Sequence, residues 1–172
     1  MKFRVPKLFC LLVCADHFRG NGYYHGFGGG AIMYEKILLA VDGSEHSIRA
    51  TEEVIKICQA SAHPVQLEVV NALQEIKNSE IVLQQVKPDD VHRDGELRIQ
   101  PNEEKLRNAN IPYTRTIERG DAGKMIANKA NNDAFDLVVI GTRGLNGFQK
   151  LVVGSVSTEV IKRAKCPVLV VK

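Results

Sequence analysis

Asp136-Leu137-Val138-Val139-Ile140-Gly141-Thr142-Arg143-Gly144, followed after nine residues by Gly154-Ser155, is the stretch on which the fold turns. Its apolar opening reads as a strand buried on both faces. Past Ser155, the residues Val156, Val160, Ile161 and Ala164 recur at helical spacing. A strand that ends in glycines and hands over to a helix opening on Gly-Ser is a place where phosphate can sit. Glycine lets backbone approach a ligand closely. The first turn of a helix presents unpaired N–H groups at the positive end of its dipole. The stretch therefore points to a bound nucleotide.

Two other phosphate patterns are excluded. A Walker A loop needs G-x-x-x-x-G-K-[ST]; Gly123-Lys124 comes nearest, but Met125 follows and Glu118 stands at the first glycine position. The dinucleotide fingerprint G-x-G-x-x-G is missing after the first apolar run, which leads into Val41-Asp42-Gly43-Ser44. What remains is G-x2-G-x9-G-[ST], a spacing far more specific than a single glycine pair.

Working outward, apolar runs alternate with helical patterns. Residues 37–41 form a first strand and 65–72 a second, with a helix over 45–62 between them, ended by His63-Pro64. Residues 73–92 are polar, broken by Pro88, and read as a mobile excursion. A weak helix is expected over 95–108, interrupted by Pro101. Residues 112–118 alternate as a third strand, Gly120-Asp121-Ala122-Gly123 turns into a short helix, and strands four and five are 137–140 and 168–171. Strands separated by helices predict a doubly wound α/β domain with a parallel sheet covered on both faces. In such sheets, ligands bind beyond the carboxyl ends of the strands, where strand order reverses.

From residue 33 onward the chain resembles the universal stress protein family, in its ATP-binding subgroup. The resemblance rests on Ile37-Leu38-Leu39-Ala40-Val41-Asp42-Gly43-Ser44, on the glycine motif, and on Ala164-Lys165-Cys166-Pro167-Val168-Leu169-Val170-Val171. It implies an adenine-nucleotide alpha-hydrolase-like fold with five parallel strands in the order 3-2-1-4-5. It further implies a cytoplasmic, ATP-binding regulatory module of the stress response, with Mg²⁺ beside the phosphates. A homodimer through the last strand is implied as well, and an unidentified protein partner is compatible with the resemblance.

The resemblance and the motif together give each candidate residue a role. Adenine is expected against the backbone of Val70, and ribose near Asp42 and Gly141. The phosphates fall to Gly144, Gly154, Ser155 and Val156, and Arg143 can add a forked donor. Asp42 is also the candidate metal ligand. Plainer readings stand beside these. Asp42 and Glu45 have capping-box spacing, and Ser44 can cap in place of Asp42. The glycines can serve tight turns, Ser155 can be a helix N-cap, Val70 a core valine and Arg143 a solvated side chain. Two rival functions remain open: a slow ATP hydrolase or phosphotransfer enzyme, for which Asp42 and Arg143 are the only candidates, and a nucleotide-free dimeric scaffold.

Charge and cysteine usage narrow the field. Of 23 Lys and Arg against 20 Asp and Glu, Lys2, Arg4, Lys7 and Arg19 against Asp16 hold the whole excess, leaving nineteen of each sign from residue 34 onward. A balanced domain offers no electrostatic footprint for nucleic acid, and no later apolar stretch is long enough to span a bilayer. Cys58 and Cys166 read as reduced structural thiols, and neither they nor Cys10 and Cys14 have metal or nucleophile spacing. The histidines His46, His63 and His92 are scattered and read as surface residues.

Residues 1–32 differ in kind. A basic start precedes Leu8-Phe9-Cys10-Leu11-Leu12-Val13-Cys14-Ala15, which can pass as a short secretion signal. A glycine-rich stretch over 20–30 follows and is expected to be disordered. Because the domain pattern begins directly after Met33, the favoured expectation is that 33–172 is the domain and 1–32 a non-native leader or disordered extension.

Overall fold

The computed structural model describes residues 11–13, 34–73, 88–142 and 154–172. In chain order these form β1 (Leu11–Val13), β2 (Lys36–Ala40), α1 (Glu45–Ala60), β3 (Gln66–Leu73), α2 (Pro88–Asn108), β4 (Tyr113–Arg119), α3 (Ala122–Asn132), β5 (Leu137–Gly141), α4 (Ser155–Arg163) and β6 (Val168–Val171). Among the described residues they build one sheet in the order β1-β6-β5-β2-β3-β4. The strands β2 to β6 are mutually parallel. Counted from β2, this is the expected five-stranded parallel sheet in the order 3-2-1-4-5.

The sheet also carries one strand that the expectation lacked. β1 pairs antiparallel with β6, in the register Leu11↔Val170, Leu12↔Leu169 and Val13↔Val168. These residues come from the apolar run at the start of the chain, which was placed outside the domain. Their partner is the strand edge expected to receive a second copy. One edge holds one neighbour, so pairing of two copies along β6 requires β1 to leave.

The continuous apolar runs are explained by burial on both sides. Successive side chains of a strand point to opposite faces, and both faces here are covered. Ile37, Leu39, Val69 and Val139 pack with Ala50 and Val54 of α1 and Ile99 and Leu106 of α2. Leu38, Ala40, Val70, Val138 and Ile140 pack on the other side with Ile126 and Ala130 of α3 and Val160 of α4. No helix among the described residues is long and apolar enough to cross a membrane.

Several boundaries differ from the sequence reading. α1 stops at Ala60, where Ser61 caps it through its backbone N–H. Of the segment expected as an excursion, Leu73 belongs to β3 and residues 88–92 to α2, and 74–87 lie outside the described residues. α2 begins at Pro88, an acceptable first helical residue because its missing N–H needs no partner there. It then runs through Pro101. Proline at 101 deprives the Leu97 carbonyl of its donor four residues on, but Leu97 is 59% exposed, so water can take the bond.

Cys58 is half-buried, Cys166 is buried, and both are free thiols. Burial raises both, Cys166 to about 11, so both stay neutral and behave as small apolar groups.

Candidate functional site

β2 and β5 are neighbours, paired from Ile37↔Leu137 to Ala40↔Ile140. From β2 the chain proceeds toward β3 and β4 with α1 and α2 on one face. The connections through α3 and α4 use the other face and end on β6. The carboxyl ends of β2 and β5 therefore form the crevice where strand order reverses, the usual ligand position in such sheets. Because α1 and α4 each join two parallel strands, both begin at this end of the sheet.

The chain leaves β2 through Val41-Asp42-Gly43-Ser44. Val41 still belongs to the sheet on one side, donating its N–H to the Val70 carbonyl at 2.9 Å. Its own carbonyl accepts from the side-chain amide of Asn71, Nδ2 at 2.6 Å. Asp42 Oδ1 then accepts the Ser44 N–H at 3.0 Å. Ser44 is the N-cap of α1, its Oγ accepting the Ser47 N–H at 3.3 Å. The Asp42–Glu45 capping box is therefore not formed: Ser44 takes the cap, and Glu45 is exposed and pairs with Arg49 at 3.3 Å. Gly43 has φ +76°, and a side chain there would collide with the Arg98 carbonyl on α2. This glycine serves the turn and the helix packed on it.

Gly141 closes β5 beside that turn. A Cβ at this position would lie 2.6 Å from the His46 carbonyl carbon and 2.8 Å from the Ser47 nitrogen. The absence of a side chain thus lets the first turn of α1 approach β5, a reason that neither the ligand reading nor the turn reading contained. Val70 is fully buried in the core under α3 and α4, with its carbonyl engaged by Val41. Asp42, Val70 and Gly141 therefore meet around the β2 exit. Arg143 and Gly144 lie outside the described residues.

Gly154, Ser155 and Val156 stand at the start of α4. Gly154 is the N-cap, with φ −61° and ψ 162° and no side-chain cap bond. Any residue adopts that conformation, so the backbone does not demand glycine here. Ser155 is the first helical residue and exposed, not the cap, and Val156 is half-buried against the core. Two other helices do carry a side-chain cap bond: α1 from Ser44, and α3 from Asp121 on the Lys124 N–H at 3.2 Å. The first turn of α4 thus offers the N–H groups of Ser155, Val156 and Ser157 with no cap from position 154.

Sequence reasoning missed a set of buried amides. Asn71 is 1% exposed and Asn102 fully buried. Asn102 Nδ2 donates to Thr51 Oγ1 at 2.8 Å and to Ser47 Oγ at 3.4 Å, tying α2 to the first turns of α1. The Oδ1 atom of each asparagine has no partner among the described residues, a situation that costs about 1–3 kcal/mol per buried acceptor. The available signal was Asn71 itself, an amide inside an otherwise apolar run. Among the described residues, no group of three or more His, Cys, Asp or Glu is placed to hold a metal ion.

The pattern of the universal stress protein family matches residues 33–172. A universal stress protein of Thermus aquaticus is 32% identical over 143 residues, spanning 81% of this chain and 100% of its own. A solved universal stress protein in complex with cAMP superposes with a TM-score of 0.63 at 23% identity, covering 81% of this chain and 97% of that one. A universal stress protein family member from Arabidopsis thaliana with AMP bound gives 0.55 at 23% identity, covering 80% and 90%. At such identities the two solved structures speak for the shared fold.

Proposed function

The chain belongs to the universal stress protein family, and from that premise we propose that it is an ATP-binding regulatory module. The observation that carries the reading is the start of α4. A helix of nine residues begins on an uncapped glycine whose conformation any residue could adopt, at the carboxyl end of a parallel sheet. N–H groups with no side-chain cap from position 154 and a dipole end suit phosphate oxygens, and a missing Cβ suits their close approach. The cAMP and AMP held by two proteins of the same fold support an adenine nucleotide as the occupant. ATP extends that to a triphosphate reaching Gly154, Ser155 and Val156, with Arg143 and Gly144, which precede α4 in the sequence, as further proposed contacts.

Asp42 is the proposed contact to ribose or to Mg²⁺. The chemistry of the site fits Mg²⁺ but not a metal held by protein alone. Mg²⁺ is commonly bound by one or two carboxylates together with phosphates and water, and the described residues supply no larger ligand cluster. Bound Mg²⁺ would neutralise phosphate charge. The protein's own part is to hold the nucleotide and to change what it binds accordingly. Pairing of two copies along β6, in competition with β1, belongs to the same proposal.

The test is to denature the purified protein and assay the released small molecules by chromatography, with Gly154→Val as control. ATP from the parent and none from the variant is the expected result. ADP in place of ATP, with loss during purification excluded, would move the reading toward turnover. An empty protein that also ignores Mg-ATP in titration would overturn it in favour of the scaffold.

A further inference from the structure

We infer that Asn71 is a positioning residue, the group that sets where β2 leaves the sheet and thereby where Asp42 stands. The inference goes beyond the nucleotide reading in its structural part and rests on it only for the consequence in binding.

The ladder between β2 and β3 ends at Ala40↔Val70. The Val41 N–H still donates to the Val70 carbonyl. Continued parallel pairing would next bring the Ala72 N–H to the Val41 carbonyl. Instead that carbonyl takes the Asn71 side chain at 2.6 Å. A side-chain amide has replaced a backbone donor, and the chain is released from β3 at that residue. The very next residue is Asp42, whose carboxylate closes the turn on the Ser44 N–H. Ser44 in turn caps α1. One buried amide therefore stands at the head of a series of hydrogen bonds that ends in the first turn of α1.

The choice of residue type supports this. Asn71 occupies the sheet face under α1 and α2, flanked in the strand alternation by Val69 and Leu73, both buried and apolar. A hydrophobe would suit that face better for packing alone, since Asn71 leaves its Oδ1 without a partner among the described residues. The amide orientation is fixed by its partner, because a carbonyl accepts only from Nδ2. What Asn71 supplies and valine lacks is a donor aimed at Val41.

The decisive pair is Asn71→Val and Asn71→Thr in the full chain, two side chains of like shape of which only threonine can donate. Amide exchange in the ligand-free protein is read first. With valine, the Ser44 and Val41 amides are expected to exchange roughly ten-fold faster or more, while Ile37 and Leu39 stay protected; with threonine they stay close to the parent. Equal behaviour of the two variants overturns the inference. If the valine variant does not fold, the Asn71 side-chain amide protons of the parent decide. One strongly protected proton is expected, and two freely exchanging ones overturn the inference.

ATP titration then reads the consequence through a double-mutant cycle with Asp42→Asn. Asn71→Val is expected to weaken binding about ten-fold when Asp42 is present and less than about two-fold when it is not, because its effect passes through that residue. Full additivity overturns the link to Asp42. A parent that binds no nucleotide fails the ATP reading alone, and the exchange result then judges Asn71 by itself.

Discussion

The helices α1 and α4 start at the same end of one sheet, on opposite faces, and their first turns are finished in opposite ways. At α1 the chain supplies everything: Ser44 caps the Ser47 N–H, Asp42 holds the Ser44 N–H, and the backbones of α2 and β5 close in at Gly43 and Gly141. At α4 the cap position is a glycine with no side-chain bond. Both ends are glycine-rich in sequence. Yet Gly43 and Gly141 are required by neighbouring backbone, whereas Gly154 sits in a conformation open to any residue. The difference teaches that a glycine at a strand-to-helix handover has to be read by what lies against it. Around Gly43 and Gly141 that neighbour is protein backbone; at Gly154 the backbone conformation alone makes no demand for glycine.

That contrast can be broken most forcefully at Gly43. Gly43→Ala forces a residue with a Cβ to φ +76° and into the Arg98 carbonyl. A loss of about 3 kcal/mol or more is expected, from left-handed strain together with overpacking, read as a shift of the urea midpoint. A change below about 1 kcal/mol would mean that α2 yields easily and that the turn is less closely held than its contacts imply.

The caps themselves give the next test. Ser44→Ala is expected to cost about 1 kcal/mol, and Gly154→Ser to raise the stability of the ligand-free protein by a few tenths. Added Mg-ATP should raise the melting temperature of the Ser44 variant and do much less for the Gly154 variant. If Gly154→Ser keeps the full ligand response, the open end of α4 is not where the phosphates sit.

The smallest effect concerns α3, whose cap is a charged one. The Lys124 N–H lowers the Asp121 carboxyl below its ordinary value of 3.8. With a depressed folded value, the cap contributes above the unfolded value and is lost as pH falls through the folded one. The Lys124 amide should therefore lose protection below about pH 4 in the parent, while Asp121→Asn keeps its cap and shows no such step. The uncharged cap Ser44 predicts no matching step at the Ser47 amide. A Lys124 amide indifferent to acid would remove the cap bond from the account.

Much of this was legible in the residues. Runs such as Ile37-Leu38-Leu39-Ala40 are apolar without alternation because α1 and α2 cover one face and α3 and α4 the other, and that pattern together with the helices between the runs calls for a parallel sheet. The spacing from Gly141 to Gly154-Ser155 likewise marked the strand-to-helix handover. The start of α2 was not legible: the helix begins at Pro88 rather than 95, within a polar stretch that lacks the apolar periodicity by which a helix is read. Nor was the role of Asn71, since a strand pattern records which residues are buried and not which carbonyl they face.

The sequence by itself determined the alternation of strands and helices and the place of the glycine motif, because periodicity and backbone freedom are properties of neighbouring residues. The tertiary structure alone decided that Gly141 yields to α1, that Ser44 rather than Asp42 caps that helix, that β1 lies along β6, and that Asn71 holds Val41. Each depends on which groups from distant parts of the chain come within a few ångströms of one another. No residue spacing encodes that distance; the packing of the layers does.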